Sequence, residues 1–170
     1  MTTGISEGNS ARAGVLWALV GGVHRGVLGG LAMMGWFLLA SSLLRHPAWT
    51  VPNLLSTLLD RELVLRRGFG WPSVVGLALV VLLGGLAGGA FGLLTKPVQS
   101  RRRVLLLGIL VGLASYYVTN TFLYRRFGAV AWIYASPRVL LVAHLLFGAM
   151  LGWPPVEPRT AALGPPAGKT

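Results

Sequence analysis

The sequence predicts an all-α fold: an integral membrane bundle of four transmembrane helices with one or two interfacial amphipathic helices. Three observations carry that expectation. Of the 170 residues, 54% are hydrophobic and 11% charged, where a soluble domain carries about 25% charged residues. Mean hydropathy is +0.69. Apolar runs at 26–44, 73–94, 104–123 and 137–153 are long enough to cross hydrocarbon about 30 Å thick, and backbone groups with no water to bond must pair within a helix there. Trp49, Trp71, Trp132 and Trp153 fall at or near the ends of these runs, where an amphipathic ring settles at the head groups.

The N-terminal stretch "MTTGISEGNS" has no basic n-region, and no small-residue cleavage site follows a short apolar core. The first apolar segment is therefore expected to remain in the mature protein. From Gly14 to Leu44 that segment amounts to about 46 Å of helix, too long for one upright crossing. It contains "GGVHRGVLGG", a His-Arg doublet among glycines. Starting the core at residue 26 puts His24 and Arg25 at the cytoplasmic head groups and avoids about 2.5 to 3.5 kcal/mol for an arginine at mid-bilayer. Residues 11–23 are then left outside the core, where they must lie in the interface, bend back at Gly21 and Gly22, or pack on another protein. The expected organisation is an N-terminal tail and interfacial segment at 1–25, a four-helix domain at 26–153 and a Pro/Gly-rich tail at 154–170.

In the first loop, "NLLSTLLDRELVLRR" sets Leu54, Leu55, Leu58, Leu59 and Leu65 broadly on one helical face, with Asp60, Arg61, Arg66 and Arg67 polar. It reads as a short helix lying in the membrane interface. Between the third and fourth runs, "RRFGAVAWIYASPR" is again aromatic and basic and is expected to follow the same surface. The tail after Trp153 is rich in Pro and Gly, a composition for extended or disordered chain.

Formal net charge is +11. The arginines stand in short clusters between apolar runs, where they meet anionic head groups and set topology, and no basic stripe is interleaved with stacking aromatics, so nucleic acid is not an expected partner. Lys96, Arg101, Arg102 and Arg103 form the densest cluster, which places that loop and both termini in the cytoplasm, with a bacterial inner membrane as the expected location. Cysteine is absent, which excludes disulfides, thiolate metal sites, Fe–S clusters and covalently attached haem.

Glycine recurs at four-residue spacing in each span: Gly22, Gly26 and Gly30; Gly84, Gly88 and Gly92; Gly108 and Gly112; Gly148 and Gly152. Residues four apart share a helix face, and a face without side chains lets two backbones approach closely in lipid. Glycine is common in transmembrane helices, but four helices with the pattern point to a tightly packed bundle.

His144 is the one titratable side chain expected near mid-bilayer. Two readings stand beside it. It could contact a cofactor, as an axial ligand to haem b or a partner of a quinone or pigment. The plainer reading is a neutral histidine bonded to the third helix, where Ser115, Tyr116, Thr119 and Asn120 offer partners. His24 and His46 are expected at opposite surfaces, so neither supplies a second haem ligand. His24, Arg25, Arg125 and Arg126 could bind lipid head groups, or simply anchor helix ends as positive flanks. There is no Ser-His-Asp set, no phosphate-binding glycine loop and no metal-ligand cluster, and Glu7, Asp60, Glu62 and Glu157 all lie outside the spans. The expected function is a non-catalytic accessory or anchoring subunit of a larger, energy-transducing membrane complex, with membrane lipids and other integral membrane subunits as partners. The alternatives are an electron-transfer subunit that uses His144 and a small oligomeric transporter or channel.

Overall fold

The computed structural model describes residues 3–59, 68–98, 100–127 and 136–153. It is all helical: α1 is Thr3–Leu43, α2 Thr50–Ser56, α3 Trp71–Thr95, α4 Arg101–Phe127 and α5 Pro137–Leu151. Three of these, Arg12–Leu43 within α1, Trp71–Thr95 and Arg101–Phe122 within α4, are long and apolar enough to cross a membrane. The fourth expected span is α5, whose 15 residues reach about 22 Å, short of a 30 Å hydrocarbon core. Pro154 and Pro155 follow it and cannot continue a helix.

At 41 residues, α1 is unbroken through Gly21 and Gly22, so a bend there, one of the three arrangements open to residues 11–23, is not what the chain adopts, and the helix runs across the boundary anticipated at residue 25. The cause is packing. The face carrying Gly22, Gly26 and Gly30 lies against α3, and Gly14 comes beside Lys96 at the far end of α3. One face of residues 14–23, carrying Gly14, Ala18 and Gly22, thus meets a helix of the same chain, while Leu16, Trp17 and Val20 on the rest of the segment stay exposed. α1 ends where Arg45 turns left-handed, φ 57°, which lets the His46 N–H donate to the Ser41 carbonyl at 2.9 Å, a C-terminal cap of the usual left-handed kind.

The order in space is α3, α1, α5, α4, each packed on the next, while α3 and α4 flank the arc without a packed interface between them. α1 is antiparallel to α3, because Gly22 meets Gly88 and Gly92 whereas Gly30 meets Val80. In the same way α4 is antiparallel to α5: Gly108 meets Gly148 and Gly152, and Gly112 meets His144 and Gly148. At these places a Cβ would fall on the opposing backbone, so the two helix pairs are glycine zippers held by close main-chain contact.

The start of the expected surface helix in the first loop, residues 53–56, is instead tucked into the bundle as part of α2. In α2, Val51, Pro52, Asn53, Leu54 and Ser56 are buried, and the Pro52 carbonyl abuts Gly76 of α3. Asn53 fixes it there, donating from Nδ2 to the Gly68 carbonyl at 3.1 Å and accepting from Ser73 Oγ at 2.6 Å. Ser73 Oγ also accepts from the Gly70 N–H at 3.2 Å, which satisfies a donor at the start of α3. Leu58 and Leu59 are exposed. Asp60, Arg61, Leu65, Arg66 and Arg67 lie outside the described residues, as do 128–135 in the third loop and the 154–170 tail.

Candidate functional site

Two hairpins meet at the centre of the arc. α1 touches α5 through Gly29 against Phe147, through Trp36 Nε1–H donating to the Val139 carbonyl at 3.0 Å, and through Arg25. Met34 and Phe37 of α1, Val51 of α2, Val80 of α3, and Leu140 and Ala143 of α5 form one buried cluster. Beside it lies a cavity of about 230 Å³ walled by α1 and α5, flanked by α3 and α4, and closed at one end by α2. Its lining is apolar except for Ser115, Thr119 and His144.

His144 is 5% exposed. Its Nδ1 lies 2.9 Å from the Leu140 carbonyl and its Nε2 lies 3.2 Å from Thr119 Oγ1. A carbonyl only accepts, so Nδ1 carries the proton; the neutral ring then accepts at Nε2, and the Thr119 hydroxyl is the donor. The Tyr116 ring stands edge-on to the imidazole with centroids 6.2 Å apart. Ser115, one turn before Thr119, donates its hydroxyl to the Gly112 carbonyl at 2.8 Å. Each proton on the cavity's polar side chains is thus committed within the protein, and what faces the cavity is lone pairs.

His24 is exposed on α1. It neighbours Arg25, which reaches the far end of α5, so His24 and His144 are separated by about nine residues of α5, some 13 Å along the axis. His46 follows α1 at the opposite end. Neither joins His144, and among the described residues no group of three His, Cys, Asp or Glu could hold a metal ion.

Arg25 donates from Nε to the Gly21 carbonyl at 3.1 Å and from Nη1 to the Trp153 carbonyl at 3.2 Å. The second bond caps the C-terminal end of α5, where unpaired carbonyls and the negative end of the helix dipole favour a cation. Trp153 accordingly stands level with Arg25 on α1, and Gly152 stands beside Val104 and Leu105 of α4. Arg125 is exposed near the end of α4, and Arg126 follows it on the same turn.

Sequence reasoning missed three features of this region: the Arg25 contact with α5, the Asn53–Ser73 pair, and the cavity. Asn53 carried a signal, since an amide inside the apolar stretch "VPNLL" needs a partner. The other two depend on which helices become neighbours, and no spacing within one helix encodes that.

Comparison of the chain with protein-family models, with curated proteins and with solved structures finds no match.

Proposed function

We propose that the protein is a non-catalytic integral membrane subunit whose α1 receives a transmembrane helix of another subunit. One observation carries this reading. The outward stripe of α1 runs Gly21, His24, Leu28, Leu31 and Gly35 at alternating three- and four-residue steps, and Gly21 and Gly35 are the helical glycines from Gly14 to Gly148 that have nothing within 4 Å of a Cβ position. The outward faces of the other long helices are unlike it: Leu82, Leu86 and Leu93 on α3, and Leu106, Leu110 and Leu113 on α4. Leucine suits lipid. Two glycines and an imidazole do not, because ionisable side chains in membranes turn toward protein, and small residues mark where a second backbone comes close.

The step pattern favours a left-handed crossing at about 20°, as in most membrane bundles. His24 supplies a polar contact for the incoming helix. The cytoplasmic placement of Lys96 and Arg101–Arg103 belongs to the same reading, as does membership of an energy-transducing complex in a bacterial inner membrane. In this reading α5 is a short fourth membrane helix that α1 and α4 shelter.

A cofactor role for His144 has one observation in its favour, the protonated Nδ1, which makes Nε2 the nitrogen that would ligate once the Thr119 hydroxyl turned away from it. The cavity volume favours a small occupant, since pockets for drug-sized molecules are about 300 to 1,000 Å³ and a haem or chlorin needs space of that order. For a channel, Ser115 and Thr119 offer too little polar wall.

The test is photocrosslinking in native membranes, with a benzophenone side chain placed at Leu28 or Leu31 and, as a control, at Leu110. One discrete protein adduct from the α1 positions and lipid adducts alone from Leu110 is the expected result. Lipid adducts alone from all three positions overturn the reading; an adduct of twice the chain mass replaces a foreign partner with a second copy. A reduced-minus-oxidised spectrum of the extracted complex, repeated with His144→Ala, tests the cofactor reading separately.

A further inference from the structure

The cavity beside His144 faces its contents with hydrogen-bond acceptors alone. The Ser115 proton is on the Gly112 carbonyl, the Thr119 proton is on His144 Nε2, and the His144 Nδ1 proton is on the Leu140 carbonyl. Two hydroxyl oxygens, one helical turn apart on α4, keep lone pairs toward a space that is otherwise apolar. A ligand that only accepts, such as a quinone carbonyl or an ether, finds no proton there, and its own lone pairs would be buried against lone pairs. One that donates a single hydroxyl can satisfy itself on Ser115 Oγ or Thr119 Oγ1 without disturbing any bond already made.

Size narrows the class further. A cavity of 150 Å³ takes up benzene, so about 230 Å³ accommodates a body of about ten carbons on the same scale. Bounded by helices and lacking charged side chains in its lining, the space excludes ions and suits molecules that partition into lipid. We infer that this cavity is a binding site for a lipid-soluble alcohol or phenol of about that size, or for the hydroxyl-bearing end of a longer one, recognised as a hydrogen-bond donor through Ser115 and Thr119. The site is independent of the α1 stripe and stands whether or not a partner helix covers it.

Four probes of matched size separate the possibilities: 1-naphthol, 1-methoxynaphthalene, naphthalene and 1,4-naphthoquinone. Binding is measured in nanodiscs holding the full chain, from the fluorescence of 1-naphthol and by competition for the others, with concentrations corrected for uptake into empty discs. The expected order puts 1-naphthol about fivefold or more ahead of its methyl ether and of naphthalene, one net hydrogen bond's worth, with the quinone weakest. Ser115→Ala and Thr119→Val combined with His144→Phe, which removes the Nε2 acceptor that the lost Thr119 hydroxyl would bare, should erase the advantage of the hydroxyl, and Ala87→Phe, at an exposed position on the rim, should abolish saturable binding of every probe. Equal binding of all four, or preference for the quinone, overturns the donor rule. Binding that is absent, or unchanged by Ala87→Phe, overturns the site itself.

Discussion

Replacing Gly26 with alanine tests the α1–α3 zipper at its tightest point. A methyl carbon there would lie 2.8 Å from Gly88 Cα and 2.9 Å from the Gly84 carbonyl carbon, where carbon pairs prefer about 3.5 to 4.0 Å. Neither neighbour is a side chain that can swing aside, so the helices must part by on the order of 1 Å, and a gap of that size forfeits a quarter to a half of the dispersion between atoms that had been in contact. Overpacking of this kind costs about 1 to 3 kcal/mol. The matched control is Gly35→Ala, where nothing lies within 4 Å. In a micellar unfolding titration the denatured state keeps most of its helix, so alanine's better propensity, at most about 1 kcal/mol, largely cancels. Following tryptophan fluorescence as dodecyl sulfate replaces a mild detergent, Gly26→Ala should lose about 1 to 3 kcal/mol and Gly35→Ala should stay within about 0.5 kcal/mol of the parent. Equal stability for the two variants would refute the zipper register, because the same atom would then have met the same surroundings.

Gly112→Ala should act like Gly26→Ala on the other pair, since its Cβ meets the His144 carbonyl and, at 3.0 Å, Gly148 Cα; combined with Gly26→Ala the losses should add to within about 0.5 kcal/mol, because the two zippers share no contact. Asn53→Leu strands the Ser73 hydroxyl and the Gly68 carbonyl and should cost about 2 to 3 kcal/mol, with Ser73→Ala costing less, both read by the same titration. Arg25→Leu should leave helix content unchanged by circular dichroism and loosen the end of α5, seen as faster hydrogen exchange of the Gly152 and Trp153 amides; Arg25→Lys should give a partial effect, because one ammonium is poorly placed to bond both the Gly21 and Trp153 carbonyls.

The parts of the fold written in local periodicity were readable in advance. Runs of apolar residues marked each long helix, and four-residue glycine spacing marked faces that the structure places against backbone. Helix extent was harder. The His-Arg doublet argued for starting the first core at residue 26, because an isolated arginine is costly in lipid, yet the cost depends on what the guanidinium meets, and here it meets the end of α5. The burial of residues 53–56, the start of the expected surface helix, was missed for a related reason. Leucines on one face and charge on the other fit a membrane surface as well as a protein groove, and only the Pro52 carbonyl against Gly76, together with Asn53 between Gly68 and Ser73, decides for the groove. The cavity was not legible at all, being a gap between five helices brought together by contacts distant in sequence.

Lipid provides no hydrophobic drive to bring helices together, so close packing and polar contacts must do it, and this chain divides the two. Glycine zippers hold each pair, α1 on α3 and α4 on α5. Where α1 meets α5 a single glycine, Gly29, takes part, and the bonds from Trp36 to Val139 and from Arg25 to Trp153 mark its two ends. These bonds donate to main-chain carbonyls and fix the register of the hairpins more than they add to its strength. The cavity opens beside this less closely packed junction, with Val80 and Ala87 on one hairpin and Ser115 and Thr119 on the other. Anything bound there touches both, so an occupant that prefers the docked arrangement stabilises it by mass action.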